Sequence, residues 1–330
     1  MTRISSARPM LWPLVPVYRL GLALRGFQLR SGMRPVQQLR LPVISIGNLS
    51  TGGSGKTPLT IALSRALTAR GLHVDVLSRG YGRHSKSASR VDPDGSVADF
   101  GDEPLLIARD AGVPVYVAPE RYQAGLLAER DTAGQVGIHL LDDGFQHRQL
   151  ARDVDIILLN HGDFADHLLP AGNLREPLQA ASRAHVIAIP EEEPDLEAEI
   201  RARGWRAEIW RLRRRMEIPN ITGPIAAFCG IARPEQFFEG LESAGLRVAS
   251  RIAFADHHPY DPHDLDCLLA AARSVRAIAF LTTEKDRVRL GSLAKSLAES
   301  LPLKSAQLHV EIENEDAAID WLIGRLAQRS

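Results

Sequence analysis

A glycine-rich segment near residue 50 carries the residue types that bind a phosphate group. It runs Ser50-Thr51-Gly52-Gly53-Ser54-Gly55-Lys56-Thr57 and departs from the pattern G-x-x-x-x-G-K-[ST] only at Ser50. The glycines let backbone N–H groups turn towards phosphate oxygens, Lys56 reaches the β- and γ-phosphates, and the Thr57 hydroxyl suits Mg²⁺. An apolar strand pattern precedes the segment and a helix pattern follows it, so a helix N-terminus adds positive character. All eight residues are therefore predicted to bind the phosphates of a nucleotide.

An acidic pair closes another apolar run, His139-Leu140-Leu141-Asp142-Asp143-Gly144. A carboxylate at the end of a buried strand can orient Mg²⁺ beside a phosphate loop. Asp142 is the first choice for this role and Asp143 the second. An acid followed by glycine also ends strands as a simple turn, so the prediction depends on the phosphate loop.

Two further segments have residue types that suit a sugar phosphate and a proton transfer. In Ser78-Arg79-Gly80-Tyr81-Gly82-Arg83, the two arginines suit phosphate and Tyr81 suits a sugar ring face, although a flexible basic turn has the same composition. In Asp256-His257-His258, adjacent histidines rarely face one metal, so a general acid or base is the better interpretation. Asp102, in Gly101-Asp102-Glu103-Pro104, would by itself be interpreted as a helix N-cap.

Composition restricts the class of partner. The chain has 330 residues and a formal net charge of zero, which indicates one large or two ordinary domains and no general attraction to nucleic acid. Residues 1–74 contain no Asp or Glu and ten Lys or Arg, so this end favours anionic lipid, nucleotide or a phosphorylated substrate. The two cysteines indicate neither a disulfide framework nor a metal site.

The segment 10–27 is apolar and aromatic but is interrupted by Pro13, Pro16, Arg19 and Arg25. These breaks make it a poor transmembrane helix, and it lacks a signal-peptide cleavage site. Two interpretations stay open for residues 1–28: a helix lying in the membrane interface, or an ordinary helix packed on the protein.

Strand and helix patterns alternate along the rest of the chain, which predicts an α/β fold with a parallel sheet covered on both faces. We expect two α/β/α domains: a P-loop kinase domain at 29–195 and a smaller C-terminal domain at 223–330. A short β linker at 196–222 joins them, and the alternating apolar and basic residues of Trp205–Met216 suggest a hairpin there. No repeats or low-complexity tracts are present.

The ordered set of these motifs resembles the tetraacyldisaccharide 4'-kinases, the family that phosphorylates the lipid A precursor. The resemblance covers most of the chain, and Ser50 also fits the family. The motifs are Gly47-Asn48-Leu49-Ser50-Thr51-Gly52-Gly53-Ser54-Gly55-Lys56-Thr57-Pro58, Ser78-Arg79-Gly80-Tyr81-Gly82-Arg83, Gly101-Asp102-Glu103-Pro104, Leu141-Asp142-Asp143-Gly144-Phe145-Gln146-His147, Leu174-Arg175-Glu176-Pro177, Phe254-Ala255-Asp256-His257-His258 and Thr283-Glu284-Lys285-Asp286.

The resemblance implies ATP- and Mg²⁺-dependent transfer to the 4'-hydroxyl of a tetraacyldisaccharide 1-phosphate. It implies a peripheral protein at the cytoplasmic face of the bacterial inner membrane, and we infer no obligate protein partner. Asp102 and His257 would form the catalytic pair, and Glu176 would join the metal region. The residues implied to bind substrate are Asn48, Arg79, Tyr81, Arg83, Gln146 and Arg175. The motif at 283–286 has no clear role at this stage.

Three rival classes are weighed against this interpretation. A membrane-partitioning or metallochaperone-type ATPase often has Lys where this loop has Thr51. A soluble small-molecule kinase would use the apolar N-terminus only for packing. A non-catalytic nucleotide-binding module would not need both Asp102 and His257.

Overall fold

The apolar runs of the sequence form strands of one twelve-stranded sheet. The structure is a computed structural model that describes residues 8–132 and 134–328. Its strands are β1 (Val43–Asn48), β2 (His73–Ser78), β3 (Ser89–Arg90), β4 (Val115–Val117), β5 (Gly137–Asp142), β6 (Val154–Leu158), β7 (Val186–Pro190), β8 (Glu208–Glu217), β9 (Pro224–Cys229), β10 (Arg247–Ala253), β11 (Ala279–Thr283) and β12 (Leu303–Ile312). The predicted α/β class is confirmed.

Helices pack against the sheet and connect its strands. They are α1 (Val15–Arg30), α2 (Lys56–Ala69), α3 (Val97–Phe100), α4 (Asp102–Asp110), α5 (Arg121–Asp131), α6 (His161–Ala165), α7 (Asp195–Ala202), α8 (Pro234–Ser243), α9 (Pro262–Ser274), α10 (Glu284–Leu290), α11 (Leu293–Ser300) and α12 (Glu315–Ala327), with 3₁₀ segments at Pro9–Leu14 and Leu178–Arg183. In α2, Leu59, Leu63 and Leu67 recur every fourth residue and are fully buried in the central core. This spacing is why the segment forms a helix that lies against the sheet.

The strand order is β10-β9-β11-β12-β8-β7-β6-β1-β5-β2-β4-β3. Neighbouring strands are parallel except for β8 with β12 and β3 with β4. Because β1, β5 and β2 are adjacent and parallel, their carboxyl ends meet at one edge of the sheet. That edge carries the phosphate loop, Asp142 and Ser78, which are far apart in sequence.

The hairpin expected over Trp205–Met216 is wrong, because this segment contributes to a single ten-residue strand, β8. Strand β8 pairs in parallel with β7 and antiparallel with β12, so it joins the two parallel halves of the sheet. Its alternating pattern reflects one buried face and one charged face of a strand. The predicted domain boundaries at 29–195, 196–222 and 223–330 stay a prediction.

Helix α1 and the preceding 3₁₀ segment contain no buried residue. The first seven residues of the predicted segment 1–28 lie outside the described residues. Polar contacts hold α1 in place, since the Tyr18 hydroxyl donates to the Arg175 carbonyl at 2.9 Å and Arg25 donates to the Gln146 carbonyl at 3.0 Å. Within residues 8–132 and 134–328, no helix is long and apolar enough to cross a membrane.

Candidate active site

The phosphate loop lies between β1 and α2, as the sequence predicts. Gly52 and Gly55 have φ angles of 102° and 93°, a region that favours glycine, and Gly55 is the N-cap of α2. A neighbouring segment holds the start of the loop, because Ser50 forms a bridge with Leu174 and Thr51 N donates to Asn173 O at 2.9 Å. The backbone therefore has the shape that directs N–H groups and a helix N-terminus at an anion.

Lys56 is held in position by two neighbours. Its Nζ lies 3.2 Å from Asn48 Oδ1 and 3.6 Å from Asp143 Oδ1. Asn48 is buried, and its Nδ2 donates to Ser50 O at 2.8 Å. The structure therefore places Asn48, which was expected to bind substrate, between the phosphate loop and its lysine.

The acidic pair lies at the carboxyl end of β5, where Asp142 is the last residue of the strand. Asp142 is buried and lies within 3.5 Å of the Thr60 hydroxyl and 3.3 Å of the Ser78 hydroxyl. Burial, together with the carboxylates of Glu103 and Asp143, raises the pKa of Asp142 to about 7. Three carboxylates this close together repel one another, and a cation would relieve that repulsion.

Asp143 behaves differently from its neighbour. Its carboxylate accepts from Arg175 at 2.9 Å. Burial would raise the pKa of Asp143, but the charges of Lys56 and Arg175 outweigh that effect and lower it. Asp143 is therefore an ionised partner of the cations around the loop.

The residues present fit Mg²⁺ as a shared ligand of protein and phosphate. Among the described residues, no three His, Cys, Asp or Glu side chains converge as a ready-made metal site. Magnesium commonly binds one or two protein oxygens and completes its shell with water and substrate phosphate, and the Thr57 hydroxyl and the Asp142 carboxylate are oxygen donors of this kind. The carboxylate of Glu176, also predicted as a ligand, makes two 2.8 Å hydrogen bonds with Arg183 instead.

Asp102 and His257, from the two halves of the chain, meet through a direct hydrogen bond. Asp102 is the first residue of α4, and His257 lies in the loop after β10 with a φ of 59°, which non-glycine residues rarely adopt. His257 Nδ1 is 2.9 Å from Asp102 Oδ2, and Arg289 Nε donates to the same oxygen at 2.7 Å. The sequence motifs did not indicate Arg289.

Electrostatics set the charge states of this pair. Burial would raise the pKa of Asp102, but the hydrogen bond with His257 and the charge of Arg289 hold it below its usual range. The hydrogen bond with Asp102 raises the pKa of His257 despite its partial burial. Asp102 is therefore ionised, while His257 titrates above its ordinary value.

A second ion pair also joins the two halves of the chain. Lys285 Nζ lies 2.6 Å from Glu103 Oε1, and the Thr57 hydroxyl is 3.5 Å from the same oxygen. The charge of Lys285 lowers the pKa of Glu103. Asp286 is fully buried and accepts from Gly230 N and the Tyr260 hydroxyl. The motif at 283–286, which had no role in the sequence analysis, therefore anchors α10 beside the site.

Most residues expected to bind substrate border the same cavity. Arg79, Tyr81, Gln146 and Arg175 line it, and the Tyr81 ring lies 5.6 Å from the His257 ring. Gln146 Nε2 donates to Asn48 O at 2.8 Å. Two of the predicted residues, Asn48 and Arg83, lie outside this lining. Asn48 lies beside Lys56, and Arg83 donates to Ser87 O and Ser89 Oγ.

The cavity has a volume of about 1660 Å³ and is bordered by both halves of the chain and by α1. The phosphate loop and the Asp102–His257 pair both line it. A cavity of this size exceeds that of a typical small-molecule site, and it has room for two reactants.

Comparison with known proteins identifies one family along nearly the whole chain. Residues 7–327 match the family model described as tetraacyldisaccharide-1-P 4'-kinase. The chain is similar to the tetraacyldisaccharide 4'-kinase of Koribacter versatilis, with 41% identity over 96% of this chain and 99% of the relative. The protein of that name from Aeromonas hydrophila is 38% identical over 92% of this chain and 90% of its own length.

A solved structure agrees with these relatives. The crystal structure of an "apo" form of LpxK from Aquifex aeolicus in complex with ATP matches with a TM-score of 0.74 and 32% sequence identity. The match covers 96% of this chain and 98% of the Aquifex chain. With the phosphate loop and the Asp102–His257 pair bordering one cavity, this chain belongs to the tetraacyldisaccharide-1-P 4'-kinase family.

Proposed function

We propose that the protein transfers the γ-phosphate of ATP to the 4'-hydroxyl of a tetraacyldisaccharide 1-phosphate, a step of lipid A biosynthesis. The observation that carries this proposal is the Asp102–His257 hydrogen bond of 2.9 Å, which borders the same cavity as the phosphate loop. A kinase needs a group that takes the proton of the acceptor hydroxyl while the donor is held in line with it. Both parts border one cavity.

His257 is the better proton acceptor of the pair. Its Nδ1 donates to Asp102, which leaves Nε2 as the acceptor for the sugar hydroxyl proton. Asp102 also accepts from Arg289 Nε and Glu103 N, and its lowered pKa makes it a weak base. Asp102 therefore orients the imidazole and stabilises it once it is protonated.

The donor side stabilises charge on the transferring phosphoryl group. The loop N–H groups and Lys56 bind the phosphates, and Asn48 and Asp143 hold the lysine in place. Thr57 and Asp142 would hold Mg²⁺, while Asp143 pairs with Lys56 and Arg175. The bound cation supplies neutralisation of phosphate charge.

The acceptor side supplies cations for a phosphorylated disaccharide. Arg79, Arg175 and Gln146 border the cavity near Tyr81, whose side chain is 65% exposed. Planar guanidinium groups bind phosphate oxygens through paired hydrogen bonds, and an aromatic ring packs on a sugar face. Arg83 stabilises the loop that carries Tyr81 through its hydrogen bonds to Ser87 and Ser89.

We further propose that α1 brings the protein to the cytoplasmic face of the inner membrane as a peripheral protein. Several large apolar side chains of the N-terminal segment are exposed: Trp12, Val17, Leu20, Leu24 and Phe27. Apolar side chains next to arginines favour the interface between acyl chains and headgroups. The same helix borders the cavity, so a lipid that stays in the bilayer would reach the site along it.

Lipid phosphorylation with radiolabelled ATP in vesicles tests the activity. We expect Lys56→Ala and Asp102→Ala to lose it, because each removes a charge that acts on the reacting groups. Lys295→Ala, an exposed change on α11, is the matched control and should keep full activity. Full activity in either of the first two variants would remove that residue from the mechanism.

Vesicle flotation tests the membrane proposal. Deleting residues 1–28 should weaken membrane association more than ATP binding, but it also removes the contacts of Tyr18 and Arg25. The double change Leu20→Ser and Leu24→Ser is therefore sharper, with the exposed Val136→Ser as control. Unchanged partitioning of the double variant into anionic vesicles would exclude α1 as the anchor.

A further inference from the structure

Arg214 reaches from strand β8 to the phosphate loop and lines the cavity there. Its NH2 donates to Ser54 O at 2.8 Å. A Cβ built on Gly55 would lie 3.5 Å from NH2 and 3.8 Å from both Cζ and Nε. These nearly equal distances mean that the guanidinium plane lies across Gly55, the N-cap of α2.

The face of β8 that carries Arg214 differs from the opposite face. Arg211, Arg213 and Arg215 point the other way, and each pairs with a glutamate. Arg214 shares its face with the buried Trp210 and is directed into the cavity instead. Strand periodicity therefore separates one arginine from three that form ordinary surface ion pairs.

Two positive features lie beside Arg214: the N-terminus of α2 and the side chain of Arg233. The N-terminus of α2 carries a partial positive charge and Lys56 follows at once, so a guanidinium there is unfavourable without an anion. Among the described residues, no carboxylate lies within ion-pair distance of either Arg214 or Arg233. The nearby charges of Glu192 and Glu193 act on Arg214, but Glu193 already accepts from His161 N at 2.7 Å.

Arg233 adds a second cation from the C-terminal half of the chain. It lines the same cavity, and burial and the charge of Arg233 together lower the pKa of Arg214. The preceding residue, Ala232, has its Cβ 3.4 Å from a Cβ built on Gly52. The loop after β9 therefore rests on the phosphate loop beside Arg214.

We propose that Arg214, with Arg233 beside it, binds the phosphate oxygens of the nucleoside diphosphate or triphosphate held by the phosphate loop. The identification of the anion as a nucleotide rests on the proposed function. Strands β8 and β9 thereby contribute cations to the donor site that the loop motif alone does not contain. A guanidinium that already touches the loop needs little rearrangement to donate to a phosphate beside it.

Nucleotide titration of the full-length protein tests this proposal without lipid or turnover. Calorimetry with ADP and Mg²⁺ should give a Kd about tenfold or more higher for Arg214→Gln than for the wild type, because a charge-assisted hydrogen bond is lost. Arg215→Gln, the adjacent change on the opposite face, should bind ADP like the wild type. AMP, with a single phosphate, should discriminate less between the two variants.

Equal ADP affinity in Arg214→Gln and Arg215→Gln would overturn the proposal. So would a lower melting temperature of Arg214→Gln with unchanged ADP affinity, since Arg214 would then only brace Ser54. If Arg214→Gln does not fold, Arg233→Gln should raise the Kd for ADP about threefold by loss of a nearby charge, and an unchanged value would exclude the pair. Failure of the wild type to phosphorylate the lipid would overturn the proposed function but leave this comparison intact.

Discussion

Two His–Asp pairs in this molecule have the same chemistry and opposite settings. His257 and Asp102 lie at the cavity with side-chain exposures of 36% and 5%, whereas His139 and Asp75 are both completely buried. In each pair, Nδ1 of the imidazole faces a carboxylate oxygen. What differs is the environment of the other ring nitrogen.

The surroundings of Nε2 determine what each pair can do. Nε2 of His139 is 3.5 Å from Glu129 Oε1 and is buried away from solvent. Nε2 of His257 is 4.0 Å from Asp256, and the ring borders the large cavity. An imidazole held by a carboxylate therefore becomes a candidate base only where a substrate can reach its free nitrogen.

The largest expected effect on activity belongs to the exposed pair. His257→Gln should lower kcat by about 10²- to 10⁴-fold, the usual contribution of a general base. Its melting temperature should stay close to that of the wild type because the side chain is partly exposed. Steady-state phosphorylation of the lipid and a circular-dichroism melt measure the two quantities; retained kcat would remove the functional distinction between the pairs.

The largest expected effect on stability belongs to the buried pair. His139→Leu leaves the carboxylates of Asp75 and Glu129 facing an apolar side chain, which should cost about 3–5 kcal/mol of unfolding free energy. The folded fraction should keep its kcat, because β5 still delivers Asp142 to the site. Urea unfolding checks the first statement, and adding Asp75→Asn should recover part of the loss; a variant as stable as the wild type would contradict it.

The pH dependence of activity tests whether Asp102 sets the pKa of His257. The hydrogen bond with Asp102 raises the pKa of His257 above its ordinary 6.5, and only the neutral imidazole accepts a proton. Activity should therefore rise with pH through that raised pKa. In Asp102→Asn the rising limb of kcat/KM should move to lower pH, since the charge that raised the pKa is gone while Arg289 remains.

If Asp102→Asn keeps activity and the rising limb of its kcat/KM profile stays at the pH of the wild type, Asp102 does not control the titration of His257. Asp75→Asn is the matched control at the buried pair, and it should leave the position of the limb unchanged.

The smallest expected effect comes from the partner of the buried imidazole. Glu129 Oε1 accepts from Leu41 N at 2.7 Å. In Glu129→Gln, the side-chain amide oxygen can still accept this hydrogen bond. We expect a loss of roughly 1 kcal/mol in unfolding free energy, typical of one altered hydrogen bond, and no change in kcat. Glu120→Gln, an exposed change at the start of α5, serves as the control; a drop in kcat for Glu129→Gln would link the buried pair to catalysis.

Local patterns predicted much of the fold. The sequence pattern predicts strands at 115–117 and 247–253 and a helix at 315–327, and β4, β10 and α12 have these bounds. The prediction missed β12, α10 and α11. A signal was present in β12, where Leu308, Val310 and Ile312 alternate with polar residues. The hairpin predicted within residues 205–216 was wrong because alternation alone does not say which strand lies alongside.

The candidate site was predicted less evenly. Strand ends brought Asp142 to the phosphate loop as expected, since adjacent parallel strands end at one edge. The pairing of Asp102 with His257 was expected from the family resemblance, because the two residues are 155 positions apart and no local rule links them. Arg289 and Arg214 escaped prediction, since an arginine in a charged helix or strand looks like ordinary surface. Lys285 belonged to a motif of the family, but its role was not predicted.

The sequence by itself determined the phosphate loop. Its glycines, its lysine and its flanking strand and helix are contiguous, so short-range backbone conformation is enough to build the anion site. Only the tertiary structure decided which charges face that loop. The antiparallel pairing of β8 with β12 joins the two halves of the sheet, and the loops and helices of the second half then bring His257, Lys285 and Arg289 to α4. Ion pairs between distant segments depend on that long-range packing, which no short stretch of sequence encodes.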